Sequence, residues 1–341
     1  MRKARKDDHI EQYLKTEFEG ATLLSDVYIE PNSLPELSFD EIQTETVFCG
    51  KRIAFPLMIN AMTGGTDMTE VINQDLALLA KEFGLPMQVG SQQVALENED
   101  SIDSFAVVRS VLGEDSVVLS NLSARASAQE IRRAMDMIGA DAIGLHLNAA
   151  QELVMTEGER DFRGILDNVH ALNREFPGKL LIKEVGFGMS RRVGQQLAET
   201  GVSMIDISGA GGTNFLEIED RRAHESDFSE FYQWGIPTAK SLLNVRSVCP
   251  TQTIVASGGL KTANDLIRAM VLGADLCGMS GEILRYLLVG GYDYARSFLE
   301  SLIYRTRVGM AMLGCKTVQE LRRVPHLLVG ALRERTEESV E

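Results

Sequence analysis

The chain lacks any uninterrupted apolar run of about 18 residues, the length a membrane-spanning helix needs, and its start is charged rather than signal-like. From these features a soluble cytoplasmic protein is expected. Cysteine is scarce: Cys49, Cys249, Cys277 and Cys315 stand alone, with neither metal-ligand spacing nor a disulfide pattern. They read as buried or inert thiols. Positive charge is also short, the formal net charge being -15, which excludes nucleic acid as the main partner because binding a phosphate backbone needs a basic surface. One local exception is the N-terminus, where Arg2, Lys3, Arg5 and Lys6 crowd together. No internal repeat or low-complexity tract breaks the chain.

What is present suffices for a large core: 341 residues, 44% of them hydrophobic, enough for one big α/β barrel or two domains. Apolar strand-like runs alternate with helical stretches, the βαβα pattern of a parallel sheet. Strands are predicted at 57–61, 87–90, 117–121, 142–147, 180–185, 204–207, 253–257 and 276–278. That number closes a barrel, and such barrels span about 250 residues. Helices are predicted between them, for example at 71–83, with Leu76, Leu79, Ala80 and Phe83 on one face, and at 266–272. The expected architecture is a (β/α)8 TIM barrel over 51–332, preceded by an arm and lead-in at 1–50 with turn signals at Pro31, Pro35 and Gly50. A frayed tail is expected at 333–341. Between strand six and its helix, 215–234 is acidic and rich in Arg and aromatics; it reads as a loop insertion over the barrel mouth or as a surface excursion without catalytic consequence.

The densest chemistry lies at Ala142-Ile143-Gly144-Leu145-His146-Leu147-Asn148, followed by Gln151 and Glu152. Side chains alternate along a strand, so Gly144, His146 and Asn148 share one face. His146 alone would read as a satisfied core histidine. An imidazole and two amides converging with a carboxylate where a strand ends are costly unless a ligand uses them. Active sites of such barrels lie at the C-terminal strand ends, and here each strand end carries suitable groups: Met62-Thr63-Gly64-Gly65, Gly90-Ser91-Gln92, Ser120-Asn121, Lys183, Ser208 to Thr213, Ser257-Gly258-Gly259 and Gly278-Met279-Ser280-Gly281. One Gly-Gly pair would mark only a tight turn. Glycines after three late strands, each leading into a helix N-terminus, point to a phosphate-bearing cofactor. Thr63, Ser91, Asn121 and Lys183 could hydrogen-bond a planar heterocycle, Lys183 offsetting negative charge on a reduced flavin, so flavin mononucleotide (FMN) fits. Lys183 has two further readings, a Schiff-base lysine and a salt bridge to a buried carboxylate.

These motifs, with Arg5-Lys6-Asp7-Asp8-His9, Asn60 to Gly65, His146-Leu147-Asn148 with Gln151-Glu152, Lys183-Glu184-Val185-Gly186 and Ser208 to Thr213, resemble type 2 isopentenyl-diphosphate delta-isomerase over nearly the whole chain. The family is flavin- and Mg2+-dependent and serves isoprene biosynthesis. The resemblance implies that Met62, Thr63, Gly64, Ser91, Asn121, Lys183, Ser208, Thr213, Gly258, Gly259, Met279 and Ser280 bind FMN. It implies that Arg5, Lys6, His9, Ser91, Gln93 and Gln151 surround a diphosphate substrate, that His146, Asn148 and Gln151 form the catalytic group, and that Glu152 carries Mg2+. It further implies reduced FMN with NADPH as reductant, and a homotetramer or larger homo-oligomer. Two positions depart from the family pattern. Gln93 stands where many relatives have Arg, which bears on one charged contact to the diphosphate, and Ser280 stands where a small apolar residue is expected.

The isomerisation moves a proton across three carbons of an unactivated alkene and needs an acid at one carbon and a base at another. Gln151 does not titrate, and His146 is the one usual general acid near the pocket centre, so a reduced flavin is expected to supply and retrieve the proton. Rival readings meet specific gaps. A hydroxy-acid flavin oxidoreductase would place a His base and an Arg clamp in the loop at 209–213, and an inosinate-dehydrogenase-like enzyme a nucleophilic Cys; the loop reads Gly-Ala-Gly-Gly-Thr. A Schiff-base aldolase on Lys183 and a non-catalytic flavin- or phosphate-binding barrel remain as alternatives.

Overall fold

The computed structural model describes residues 10–223 and 227–337. Eight parallel strands form a closed barrel: β1 Leu57–Ile59, β2 Met87–Gln88, β3 Val118–Ser123, β4 Ala142–Leu147, β5 Leu180–Glu184, β6 Met204–Asp206, β7 Thr253–Ala256 and β8 Leu276–Met279. They pair in chain order around the ring, and β8 closes on β1 through Cys277 opposite Leu57 and Met279 opposite Ile59. The fold is the expected TIM barrel, with strand ends shifted by a residue or two. β1 stops short of Ala61 because Asn60 turns its side chain inward onto Asp206.

The helices also begin where local chemistry dictates. The helix after β1 runs Asp67–Phe83, starting a turn earlier than its apolar stripe, because the Thr66 hydroxyl accepts the backbone N–H of Thr69. It buries Leu76, Leu79 and Ala80 and stops at Gly84 in the left-handed region (φ 61°). Likewise the helix after β7 is Ala263–Val271, capped by Thr262 with Asp265.

The N-terminal end of the barrel is plugged. A hairpin, Thr46–Phe48 with Lys51–Ile53, inserts Phe48 and Ile53 among Met58, Leu119, Leu181, Met204, Val255 and Leu276. Lys51 fastens the hairpin to Asp141 at 2.6 Å. Burial pushes all four thiols above the ordinary cysteine range, Cys49 to about 12, so they stay protonated and poorly nucleophilic.

Two expectations are corrected. The insertion at 215–234 is not an irregular loop: it contains the helix Phe215–Ala223 and a 3-10 turn Ser229–Trp234. Leu216 and Ile218 are buried there, and so are Glu217 and Glu219, which pair with Arg221 and Arg222 about one turn on. The chain also does not fray from 333: Gly330–Glu337 is helical. Leu332 is fully buried and its N–H donates to Asp26 at 3.1 Å, while His326–Leu328 pairs antiparallel with Val27–Ile29. The lead-in and the C-terminal segment therefore fold together beside the barrel. Among the described residues no helix is long and apolar enough to cross a membrane.

Candidate active site

With the bottom closed, the open end is the C-terminal mouth, where a cavity of about 410 Å³ lies. Met62, Ser91, Asn121, His146, Asn148, Gln151, Glu152, Lys183, Ser208, Thr213, Gly258, Gly259, Met279 and Ser280 all line it. Of the other expected site residues, Arg5, Lys6 and His9 lie outside the described residues. Thr63, Gly64 and Gln93 are described and do not reach the lining. Gly64 packs under Phe105, whose ring a Cβ would meet at 2.1 Å, so its glycine serves packing. Gln93 turns its amide to Glu97 at 3.2 Å, within a short surface helix that satisfies it locally. Thr63 is buried and its hydroxyl has no partner in the protein.

One wall of the cavity comes from the end of β4. His146 Nδ1 lies 3.1 Å from Asn121 Oδ1, which orients the ring. Asn148 caps the helix Ala149–Val154 and donates its amide to Glu152 at 2.9 Å and to Gln151 at 3.3 Å. Glu152 accepts a second bond from the backbone N–H of Glu159 at 2.9 Å. Gln151 donates to Glu219 at 2.9 Å, and Glu219, itself buried, pairs with Arg222. Sequence reading missed Glu219. The available signal was the pair Glu217 and Glu219 within a stretch whose Leu216 and Ile218 are apolar.

Across the barrel from β4, backbone makes the wall. The loop after β6 packs directly on the one after β7: a Cβ on Gly212 would meet the Gly259 nitrogen at 2.6 Å, and one on Gly258 the Gly209 oxygen at 2.0 Å. Gly258 and Gly259 also have φ of 99° and 80°, favoured for glycine. This leaves backbone N–H groups bare of side chains beside the start of the helix at Gly281, the anatomy of a phosphate cradle.

Between the walls Lys183 donates to the Glu184 carbonyl at 2.8 Å and stands 4.0 Å from the carboxylate of buried Asp206. Of its readings, the salt bridge is present, and it is compatible with a flavin above it. Glu184 turns the other way, one oxygen accepting the N–H groups of Val185, Gly186, Phe187 and Gly188 at 2.5–3.1 Å. Burial outweighs those donors and pushes its carboxyl up to about 7.

A strap, 10–20, crosses the mouth. Ile10, Tyr13, Leu14 and Phe18 line the cavity, and Glu217 accepts the backbone N–H groups of Glu17 at 2.7 Å and Phe18 at 3.2 Å. Burial raises the Tyr13 phenol to about 12. The insertion therefore does cover the mouth, with Phe215 and Ile218 among the lining residues.

The chain that builds this mouth is similar along nearly its whole length to known proteins. The isopentenyl-diphosphate delta-isomerase of Geobacillus sp. (strain WCH70) is 38% identical over 330 residues, covering 96% of this chain and 94% of the relative. The chain belongs to the isopentenyl-diphosphate delta-isomerase family. That of Bacillus licheniformis is 40% identical, covering 96% of this chain and 94% of its own. The FMN-dependent dehydrogenase family model also matches this chain, over residues 119–327. Mandelate oxidase with (S)-2-phenylpropionate superposes with a TM-score of 0.66 at 17% identity, covering 90% of this chain and 88% of that one, a likeness of fold.

The site fits FMN on its own terms: the amide of Asn121, the lysine and a cradle whose space a Cβ would fill supply what a polar ring and one phosphate need. It also fits Mg2+. Among the described residues no group of three or more His, Cys, Asp or Glu could hold a metal. A single carboxylate such as Glu152, with substrate phosphate oxygens and water, is the usual Mg2+ arrangement.

Proposed function

We propose that this enzyme interconverts isopentenyl and dimethylallyl diphosphate by a 1,3-allylic proton shift, using reduced FMN and Mg2+. The observation that carries the reading is the placement of His146, Asn148, Gln151 and Glu152 on one wall of a cavity whose far wall is the glycine cradle. Reduced FMN would supply the proton-transfer chemistry that no strong acid among these side chains offers. Gln151, its amide fixed between Asn148 and Glu219, holds the hydrocarbon end of the substrate against the ring face. His146 and Asn148 complete that wall, and Ser91 lines the same space. Glu152 would carry Mg2+, and with Arg5, Lys6 and His9 would neutralise the diphosphate. The strap excludes water from a carbon centre that bears a transient charge. The expected Gln93 contact is withdrawn from this picture, since its amide is engaged by Glu97.

NADPH as reductant, a homotetramer or larger assembly and a cytoplasmic setting belong to the same proposal. A hydroxy-acid oxidation finds no support at the loop 209–213, which holds neither imidazole nor guanidinium. The test is an anaerobic isomerase assay on FMN-loaded enzyme, reduced with NADPH or dithionite and compared with the oxidised form. Turnover only after reduction is expected; equal turnover by the oxidised enzyme would overturn the role of the flavin.

A further inference from the structure

Asp206 ends β6 beneath the cavity floor and is fully buried. One carboxylate oxygen accepts the Asn60 amide at 2.7 Å; the other accepts the Ser257 hydroxyl at 2.5 Å and the Ser208 backbone N–H at 3.2 Å. Lys183 Nζ lies 4.0 Å from the first. Asn60, Lys183, Ser208 and Ser257 come from four different strand ends, and all four line the cavity, whereas Asp206 does not. A buried carboxylate with an ammonium nearby is a poor device for stability alone, because desolvation consumes most of the Coulombic gain. Its geometry does something else: it ties four floor groups to one another and places a negative charge behind Lys183.

We infer that Asp206 is a positioning residue that sets the effective charge of Lys183 toward the flavin, and through it the balance between oxidised and reduced FMN. The inference rests on the reading that FMN occupies this floor. Without the carboxylate, Lys183 would present an unpaired ammonium, and in a low-dielectric site that charge acts strongly on a ring that gains negative charge when reduced. The ion pair presents a nearly balanced charge instead. Such balance suits a reaction in which one proton must be given and taken back, since donor and acceptor strengths both count. Among the described residues Lys183 has no second ion pair to do this, and the Glu184 carboxylate is turned onto the backbone N–H groups of its own loop.

The test reads the two-electron reduction of bound FMN by potentiometric titration of the loaded protein. Asp206→Asn, which keeps the shape, is expected to favour reduced over oxidised FMN by at least tenfold, about 30 mV upward for a two-electron couple. Lys183→Met is expected to move the ratio at least tenfold the other way, and the double variant to return near the wild type. An Asp206→Asn protein that loads FMN yet stays within threefold of the wild-type ratio overturns the inference. Should Asp206→Asn not fold, Lys183→Met and the double variant decide the matter, because the double lacks both charges: a tenfold difference between them supports the inference and equality overturns it. Wild-type protein that takes up no FMN overturns the cofactor reading as well, so the two failures are distinguishable.

Discussion

Gln151 donates its side-chain amide to Glu219 across 2.9 Å, joining the helix after β4 to the helix of the insertion after β6. The bond fixes which end of the amide faces Asn148 and which faces Glu219. Glu219→Gln offers Gln151 an amide that can donate as well as accept, and so frees the side chain to flip. A fall in kcat of tenfold or more with little change in KM is expected, because orientation rather than binding is lost. Steady-state kinetics on reduced enzyme check it; a change confined to KM would count against the orienting role.

Glu152 is held by Asn148 and by the Glu159 N–H with its carboxylate at the cavity wall. Glu152→Gln should weaken Mg2+ activation at least tenfold while leaving the flavin spectrum unchanged, since a neutral amide is a poor ligand for a hard cation. A Mg2+ titration of initial rate is the measurement. Normal activation in the variant would remove Glu152 from the metal.

The basic N-terminal arm and the strap that follows it in sequence give two linked expectations. Arg5→Ala should raise KM roughly tenfold to hundredfold, the value of a charge-assisted contact of about 1.5–3 kcal/mol, and Arg2→Ala should do little. Glu217→Ala, which removes the acceptor for Glu17 and Phe18, should raise KM and speed proteolytic cleavage near the N-terminus. If KM is untouched by Arg5→Ala and Glu217→Ala alike, neither the arm nor the strap takes part in binding.

Glu184 sets a pH dependence of stability. Burial raises its folded-state value to about 7 from an unfolded 4.5, so between those values the folded protein holds a proton that the unfolded chain has released. Its contribution is therefore complete below pH 4.5 and is lost as pH rises toward 7, by about 1.4 kcal/mol per pH unit. Glu184→Gln lacks this loss. Denaturation midpoints at pH 5, 6 and 7 should show the variant gaining on the wild type as pH rises; a constant gap would mean that Glu184 is ionised throughout.

The sequence by itself determined the barrel and most of its mouth. Eight apolar runs, each long enough for one strand and separated by amphipathic stretches, are local patterns, and a strand's alternation places His146 with Asn148 without reference to any other part of the chain. Glycines after β6, β7 and β8 were legible for the same reason: a backbone without Cβ is written in one letter. The tertiary structure alone decided how distant segments meet. Glu217 reaches Glu17, Asn60 reaches Asp206 and the Leu332 N–H reaches Asp26, and no periodicity encodes which polar group from a remote loop a buried carboxylate will meet. It also decided which expected residues turn away, Gln93 to Glu97 and Gly64 beneath Phe105, and it folded the segment after β6 as a helix that buries Glu217 and Glu219 together with Leu216 and Ile218. Closure of the ring brings the strand ends to one mouth. Which of their side chains share a hydrogen bond there is a property of packing in three dimensions.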